Sequence, residues 1–396
     1  MRKIGLIVNP VAGLGGMSAF RGSDDVQVQS AAMKAGYEKQ AIRKAEAALE
    51  KIRDLSGAFQ LFTVSGEMGE NAALAAGIRA VVLRRNKRMT TNGDSAGKVA
   101  TTAESRLDVS VTTAEDTHDG VRWLLDNGAD VIVFAGGDGT ARDVLKAAGE
   151  KVPVIGIPAG VKMHSAVYAV SAAAAGYVLR AFVQDKSWRI EKREVMDIDE
   201  ALFRRSIVSA SLFGFLPVVV GKNYIQNTKQ SSVSTEQELE TMTDGMIREV
   251  LEDVYYLIGP GSTTEVIKKK LTNNGSLLGV DVVKNRKMII KDADERQLYQ
   301  LLDRCEEDSG ARILTTFIGG QGHVFGRGNQ QFSPRVIRKV GKENILIVAT
   351  VSKLAALRLA PLLVDTGDSG LDAQLSGYYK IMVNAKESVI YRVSCI

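Results

Sequence analysis

The sequence predicts an α/β protein of two domains, with a parallel-sheet α/β domain first and a β-rich domain second. The chain has 396 residues, which is more than a single hydrophobic core usually serves. Up to residue 188, short apolar runs alternate with amphipathic helical segments, the pattern of a parallel sheet with helices on its faces. Beyond it, β-type runs become more frequent. We therefore expect domains at residues 1–188 and 189–396, and leave open that the last strands pack back on the first domain.

The first domain is expected to alternate strands with helices. Apolar runs predict strands at residues 4–8, 60–64, 131–135 and 152–157. Helical spacing predicts helices at residues 37–55, 117–127, 140–149 and 171–184, the second of them capped near Thr113 or Asp116. Residues 84–110 have the polar composition of a mobile loop.

The second domain is expected to contain more strands and one strongly charged helix. The predicted strands cover residues 207–220, 254–258, 288–291, 312–318, 345–350 and 389–393, and the helix covers residues 236–252. The polar stretch 223–234 is interpreted as a flexible loop.

Composition and charge argue against several classes of protein. Hydrophobic residues make up 45% of the chain and charged residues 24%, and no uncharged apolar run reaches the length of about 18 residues that a membrane span needs. The first apolar run stops at Asn9, too early for a secretory signal. Only two cysteines occur, without metal-ligand spacing, so we assign no metal ligands. We expect a cytoplasmic protein with no membrane partner.

The net charge of +5 allows two interpretations. It can attract anionic substrates such as phosphates, or it can simply belong to a solvated surface. No basic segment is interleaved with aromatic residues in the manner of a nucleic-acid module, so we expect no nucleic-acid partner.

The strongest local signal is the pentapeptide Gly136-Gly137-Asp138-Gly139-Thr140, which joins an apolar strand to a helix. Ligands in open α/β sheets bind at this edge, glycines let a phosphate approach the backbone, and the helix start offers free N–H groups. An aspartate there can orient or deprotonate a hydroxyl, or help to hold Mg²⁺. The alternative is a tight turn in which the aspartate caps the helix. We favour the functional interpretation.

Three further segments carry candidate ligand-binding residues. Asn9 follows the first strand at the same sheet edge and either binds a phosphate or stabilises a turn. The segment 259–264 joins a strand to a helix, and its hydroxyls either donate to phosphate oxygens or cap the helix. Arg327 lies between two glycines, where a guanidinium suits a phosphate. The loop histidines His164 and His323 are interpreted as mainly solvated.

These motifs together resemble the NAD kinase superfamily, and within it the branch of ATP- or polyphosphate-dependent NAD kinases from archaea and bacteria. The superfamily also contains diacylglycerol and sphingosine kinases and, more distantly, 6-phosphofructokinases. The resemblance covers nearly the whole chain, and the segments that carry it are residues 4–16, 113–117, 136–140, 156–165, 259–264, 319–322 and 325–331.

The resemblance implies a kinase that phosphorylates a ribose hydroxyl of NAD to give NADP. Asp138 would contact the hydroxyl that receives the phosphoryl group and is the candidate catalytic base. ATP, with Mg²⁺, or polyphosphate would be the donor, and we expect a homo-oligomer. The residues implied to bind nucleotide or phosphate are Asn9, Gly136, Gly137, Gly139, Thr140, Gly261, Ser262, Thr263, Thr264 and Arg327.

One feature departs from the family pattern. Ordinary NAD kinases carry an Asn-Glu pair after a later strand, where it holds the adenosine, whereas residues 162–165 here read Lys-Met-His-Ser. Two alternatives therefore stay open: a kinase of the same fold acting on another nucleoside, a sugar or a lipid alcohol, and a non-catalytic nucleotide sensor.

Overall fold

The computed structural model describes residues 1–13, 39–84, 112–160, 163–198, 210–221, 236–305 and 310–395. In this part of the chain the strands form two sheets, one of seven strands and one of nine. The first is parallel except at one edge, and the second is mixed. The predicted fold class, an α/β protein of two domains with an NAD kinase-like arrangement, is confirmed.

One strand of the first sheet leads into the candidate pentapeptide, and the central strands of this sheet are buried on both faces. Its strands are β1 (Arg2–Val8), β2 (Phe59–Val64), β3 (Ala80–Leu83), β4 (Val131–Gly136), β5 (Val154–Pro158), β6 (Trp188–Ile198) and β7 (Ala210–Gly221), in the order β3-β2-β1-β4-β5-β7-β6. Only the β6–β7 pair is antiparallel. Every residue of β4 is buried, which explains why this strand appears in the sequence as an uninterrupted apolar run.

In the described part of the first domain, five α-helices cover this sheet. They are α1 (Gln40–Leu49), α2 (Glu70–Ala75), α3 (Ala114–Asp126), α4 (Asp138–Ala148) and α5 (Ala172–Val183). Helices α1 and α5 pack on one face through alanines, with an approach close enough that a side chain at Gly176 would strike the Ala48 carbonyl. Helices α3 and α4 pack on the other face. Thr113 caps α3 through a reciprocal capping box with Asp116, as the sequence predicted.

The second sheet is also packed between helices. Its strands are β8 (Tyr255–Ile258), β9 (Val280–Lys284), β10 (Lys287–Ala293), β11 (Ala311–Thr315), β12 (His323–Phe325), β13 (Ile345–Val348), β14 (Leu362–Val364), β15 (Gly377–Met382) and β16 (Ser388–Cys395), in the order β10-β9-β8-β11-β13-β15-β16-β14-β12. Its helices are α6 (Glu236–Arg248), α7 (Ser262–Thr272), α8 (Glu295–Asp303), α9 (Pro334–Val340), α10 (Val351–Ala355) and α11 (Ser369–Leu375). No helix in the described ranges is long and apolar enough to cross a membrane.

The first sheet continues beyond residue 188, where the sequence predicted the domain boundary. β7 pairs with β5, and β6 lies outside it at the edge of the same sheet. The boundary itself stays a prediction. The last strand, β16, pairs with β15 and β14 in the second sheet. The predicted loops lie outside the described residues, at 223–234 completely and at 84–110 apart from residue 84.

Candidate active site

The carboxyl edge of the first sheet brings the Asn9 loop and the pentapeptide together. Because β1 and β4 are parallel neighbours, both strands end at this edge, and the Asn9 N–H donates to the Ala135 carbonyl at 2.9 Å. The Asn9 amide Nδ2 donates to the buried Thr140 Oγ1 at 3.0 Å, and its Oδ1 accepts the Val11 N–H at 3.2 Å. Asn9 therefore stabilises a turn and connects the first loop to the pentapeptide, and its contact with a phosphate stays a prediction.

Asp138 is the first residue of α4, and its carboxylate is fixed by the segment that follows β5. Oδ2 accepts the His164 N–H at 2.6 Å, and Oδ1 accepts the Ser165 N–H at 3.0 Å. The His164 ring Nδ1 lies 3.3 Å from Oδ2. Asp138 is only 6% exposed and His164 only 5%, so this histidine is not the solvated loop residue expected from the sequence. A hydroxyl reaching Asp138 must use the remaining acceptor capacity of its two oxygens.

The glycines of the pentapeptide have different surroundings. A Cβ on Gly136 would lie 2.3 Å from Thr140 Oγ1, and one on Gly137 would lie 3.2 Å from the Gly160 Cα. A Cβ on Gly139 would meet nothing within 4 Å. Packing alone therefore accounts for the first two glycines, whereas Gly139 leaves open space at the start of α4. That start offers free N–H groups to an anion.

The second-domain loop at 259–264 is not the side-chain-capped helix start that the sequence allowed as an alternative. Gly261 precedes α7 with a φ of +131°, and the helix has no side-chain cap. Thr264 Oγ1 donates to the Gly261 carbonyl at 3.0 Å, and both Thr263 and Thr264 are buried. Ser262 is exposed, so its hydroxyl is the one in this loop that reaches solvent.

A lysine that no motif in the sequence indicated, Lys353, lies behind this loop. Lys353 is 7% exposed, and its Nζ donates to Thr316 Oγ1 at 2.8 Å and to Thr263 Oγ1 at 3.3 Å. It also lies 5.1 Å from the centroid of the Phe317 ring. The available signal was a threonine-capped helix after a strand, with Thr350 accepting the Lys353 N–H. Lys353 supplies a positive charge next to a loop predicted to bind phosphate.

The second domain also contacts the segment that holds Asp138. Gln321 Nε2 donates to the Met163 carbonyl at 3.1 Å. Arg327 Nη2 donates to the carbonyls of Ala169 at 3.0 Å and Val170 at 2.7 Å. Between these contacts, the Tyr168 hydroxyl donates to the Gly137 carbonyl. The second domain therefore supports the Asp138 carboxylate from outside.

Arg327 lies at the domain junction, not in an open loop. It is 4% exposed, and burial lowers its pKa to about 10, a shift that the Asp365 carboxylate opposes. Two of its hydrogen bonds are to main-chain carbonyls, which gives it a structural function. Its predicted contact with phosphate stays a prediction.

The predicted site residues therefore form two groups. Asn9 and residues 136–140 lie together at the first sheet, with Arg327 joined to them through the segment 163–170. The hydrogen bonds seen for residues 261–264 run within the second domain, to partners such as Leu277 and Lys353. The contact of that loop with a nucleotide stays a prediction.

The pentapeptide offers one carboxylate, that of Asp138, as a ligand for a magnesium ion. In the described ranges no three acidic, histidine or cysteine side chains are grouped to hold a metal. Mg²⁺ needs little more when it arrives with phosphates, because it is usually bound by one or two carboxylates, waters and phosphate oxygens. Asp138, with acceptor capacity left on both oxygens, fits that limited requirement.

Comparison with known families agrees with this architecture. Residues 4–187 match the ATP-NAD kinase N-terminal domain, and residues 251–393 match the ATP-NAD kinase C-terminal domain. No curated protein matches the chain. The first match contains the Asp138 pentapeptide, and the second contains Ser262, Arg327 and Lys353. Since the two matches span most of the sequence, the chain belongs to the ATP-NAD kinase family.

Proposed function

We propose that this kinase transfers a phosphoryl group from ATP or polyphosphate to a ribose hydroxyl of NAD, forming NADP. The observation that carries the proposal is the position of Asp138. Its carboxylate begins α4 at the carboxyl edge of the first sheet and is held by two main-chain N–H groups. Next to it, Gly139 leaves open space at a helix start suited to phosphate.

Asp138 would orient the acceptor hydroxyl and accept its proton as the phosphoryl group is transferred. Phosphoryl transfer depends mainly on positioning and on stabilising charge, so a carboxylate held by fixed N–H donors is well suited to it. The His164 and Ser165 N–H groups would stop the carboxylate from rotating away. Mg²⁺, when bound with ATP, would neutralise charge on the phosphates.

The second domain would contribute charge and hydroxyl groups to the donor or acceptor. The exposed Ser262 hydroxyl and the Lys353 ammonium behind Thr263 are the groups available in its loop. The second domain contacts the segment 163–170, whose main chain holds Asp138, so both domains would take part in the site.

A different acceptor is the second candidate, and the surroundings of Asp138 favour it. The family's Asn-Glu pair is replaced here, and the His164 and Ser165 main chain at that position is committed to Asp138. A nucleoside other than NAD, a sugar or a lipid alcohol would then receive the phosphoryl group from the same donor.

One assay separates these possibilities. Purified full-length protein is incubated with Mg²⁺ and ATP, and ADP release is measured alone, with NAD, and with a panel of nucleosides and sugars. Release that depends on NAD supports the proposal. Release that depends on another acceptor supports the second candidate. If ATP or NAD raises the melting temperature and no acceptor stimulates ADP release, the protein is a nucleotide sensor and the proposed function is wrong.

A further inference from the structure

One loop of the second domain contacts the segment 163–170 at both of its ends. Arg327 binds two carbonyls at the far end of this segment, away from the candidate site. Gln321 binds the near end, where its Nε2 donates to the Met163 carbonyl at 3.1 Å. The near end is also the part of the segment that holds the Asp138 carboxylate. Of the two contacts, the one made by Gln321 is therefore the one adjacent to the candidate active site.

The bond from Gln321 and one of the bonds to Asp138 belong to the same peptide group. The Met163 carbonyl accepts the Gln321 amide, and the His164 N–H of that peptide donates to Asp138 Oδ2 at 2.6 Å. A peptide group is planar, so a donor that fixes the direction of the carbonyl also fixes the direction of the N–H. Hydrogen bonds linked in this way also polarise and strengthen one another. A single peptide group thus connects a side chain of the second domain to the carboxylate.

The Gln321 side chain is itself held in one direction. Its own N–H donates to the Ile318 carbonyl at 3.2 Å, and the Gly322 N–H donates to the same carbonyl at 2.8 Å. These two bonds close a tight turn directly before β12. The residue is only 7% exposed. The backbone turn and the burial together orient the amide toward the Met163 carbonyl.

The second polar atom of this amide shows that glutamine is a costly choice at position 321. Gln321 Oε1 is buried and has no hydrogen-bond partner. Burying an amide that is only half satisfied costs more free energy than burying an apolar side chain of the same length. Methionine would fill similar space without an unsatisfied oxygen. The benefit of glutamine therefore lies in the one bond that it makes, the bond to Met163.

We propose that Gln321 is a positioning residue for phosphoryl transfer, which orients the Asp138 carboxylate through the peptide group between Met163 and His164. This inference rests on the proposed function for the chemistry at Asp138. With the peptide fixed, its N–H occupies one acceptor position of Oδ2 and leaves the others for the acceptor hydroxyl. The geometry of a carboxylate in the first domain then depends on a side chain of the second.

Two variants of the full-length protein test this dependence kinetically. Gln321→Met removes the amide and keeps the length of the side chain, and Gln321→Glu keeps its shape and removes the donor. In both, kcat should fall roughly tenfold while the KM for ATP and for the acceptor stays within about twofold of the wild type, because alignment is lost and no binding group is removed. Gln321→Met should melt close to the wild-type temperature, since loss of the bond is offset by removal of the unsatisfied oxygen.

Hydrogen–deuterium exchange tests the same contact without any activity. The His164 N–H should exchange roughly tenfold faster in both Gln321 variants, because its bond to Asp138 opens more often. Gln330→Met is the matched control. Gln330 Nε2 donates to a carbonyl of its own domain, that of Gly326, at 3.4 Å, and its Oε1 is also buried without a partner. This control should keep the wild-type kcat and the wild-type exchange of His164.

Failure of this inference and failure of the proposed function give different results. If the wild type makes NADP and both Gln321 variants keep kcat within about threefold of it, the inference is wrong and the proposed function stands. Equal losses in Gln330→Met, or wild-type exchange of His164 in both Gln321 variants, also overturn the inference. If the wild type phosphorylates no acceptor while His164 exchanges faster only in the Gln321 variants, the positioning contact is supported and the proposed function is wrong.

Discussion

Gly139→Ala should stabilise the protein and weaken nucleotide binding at the same time. Gly139 is the second residue of α4, and a Cβ there would meet no protein atom within 4 Å. Replacing a helical glycine by alanine in open space stabilises a fold by ~0.5–1 kcal/mol. For a domain of this size that raises the melting temperature by roughly 1–4 °C. If the space is where a phosphate approaches the helix start, the new methyl group obstructs it.

The size of the binding loss follows from the contact that the methyl group would displace. A hydrogen bond between an N–H group and a charged phosphate oxygen contributes ~1.5–3 kcal/mol, so the Kd should rise roughly ten- to hundredfold. Differential scanning fluorimetry and calorimetry with ATP and NAD measure the two effects. Gly137→Ala is the control: its Cβ would lie 3.2 Å from the Gly160 Cα, so it should lower the melting temperature. Unchanged affinity of Gly139→Ala for both nucleotides would refute the placement of phosphate at α4.

Two other predictions concern the second domain. Ser262→Ala should raise the KM for one nucleotide without changing the melting temperature, because this hydroxyl is exposed. Thr264→Ala should instead lower the free energy of unfolding by ~1 kcal/mol, because it removes the hydrogen bond to the Gly261 carbonyl. If Ser262→Ala has the wild-type KM for both nucleotides, the loop is not part of the site. Lys268→Met should lower the free energy of unfolding, measured with urea, by ~3–5 kcal/mol. The change leaves the Asp281 carboxylate buried and removes the ammonium that lies 3.3 Å from its Oδ2. Burial lowers the pKa of Lys268 from 10.5 to about 8, so between these pH values the unfolded chain binds more protons. The difference in free energy of unfolding between the wild type and Lys268→Met should therefore grow as the pH rises from about 8 to 10.5. A difference that shrinks over this range would contradict the lowered pKa of Lys268.

The sequence predicted the arrangement of the first sheet edge well, for a physical reason. β1 and β4 are buried on both faces, so their apolar runs are uninterrupted, and the residues that follow them meet because parallel strands end at one edge. Asn9 and Thr140 are accordingly in contact. The start of α4 at Asp138 came from the same strand-to-helix transition.

The contacts that could not be predicted join segments that are distant in sequence. His164 is buried against Asp138 because the loop after β5 folds over α4. The hydrophobic periodicity of the sequence does not predict how such a loop folds. Arg327 reaches the carbonyls of Ala169 and Val170 only through the packing of one domain on the other. Nothing in the sequence distinguishes Lys353 from other lysines in short helices, because its partners Thr263 and Thr316 are distant in sequence.

The glycines show how one sequence signal can have more than one cause. The sequence suggested that the glycines at 136, 137 and 139 all serve phosphate. The structure gives Gly136 and Gly137 packing reasons and leaves open space only at Gly139. Composition cannot separate these causes, because a close neighbour in the protein and a close ligand both require the absence of a Cβ.

The measurement that tests the account most directly is NADP formation by Asp138→Asn beside a matched control. Asp130→Asn makes the same change at the other end of β4, where Asp130 accepts the Lys3 N–H at 2.7 Å. With ATP, Mg²⁺ and NAD, the wild type and Asp130→Asn should form NADP at similar rates. Asp138→Asn should be slower by ~10²–10⁴-fold. It should also melt at a somewhat lower temperature, because the asparagine NH2 group faces one of the two main-chain N–H donors that the carboxylate accepts. NADP formation by a folded Asp138→Asn within about threefold of the wild-type rate would contradict the catalytic assignment.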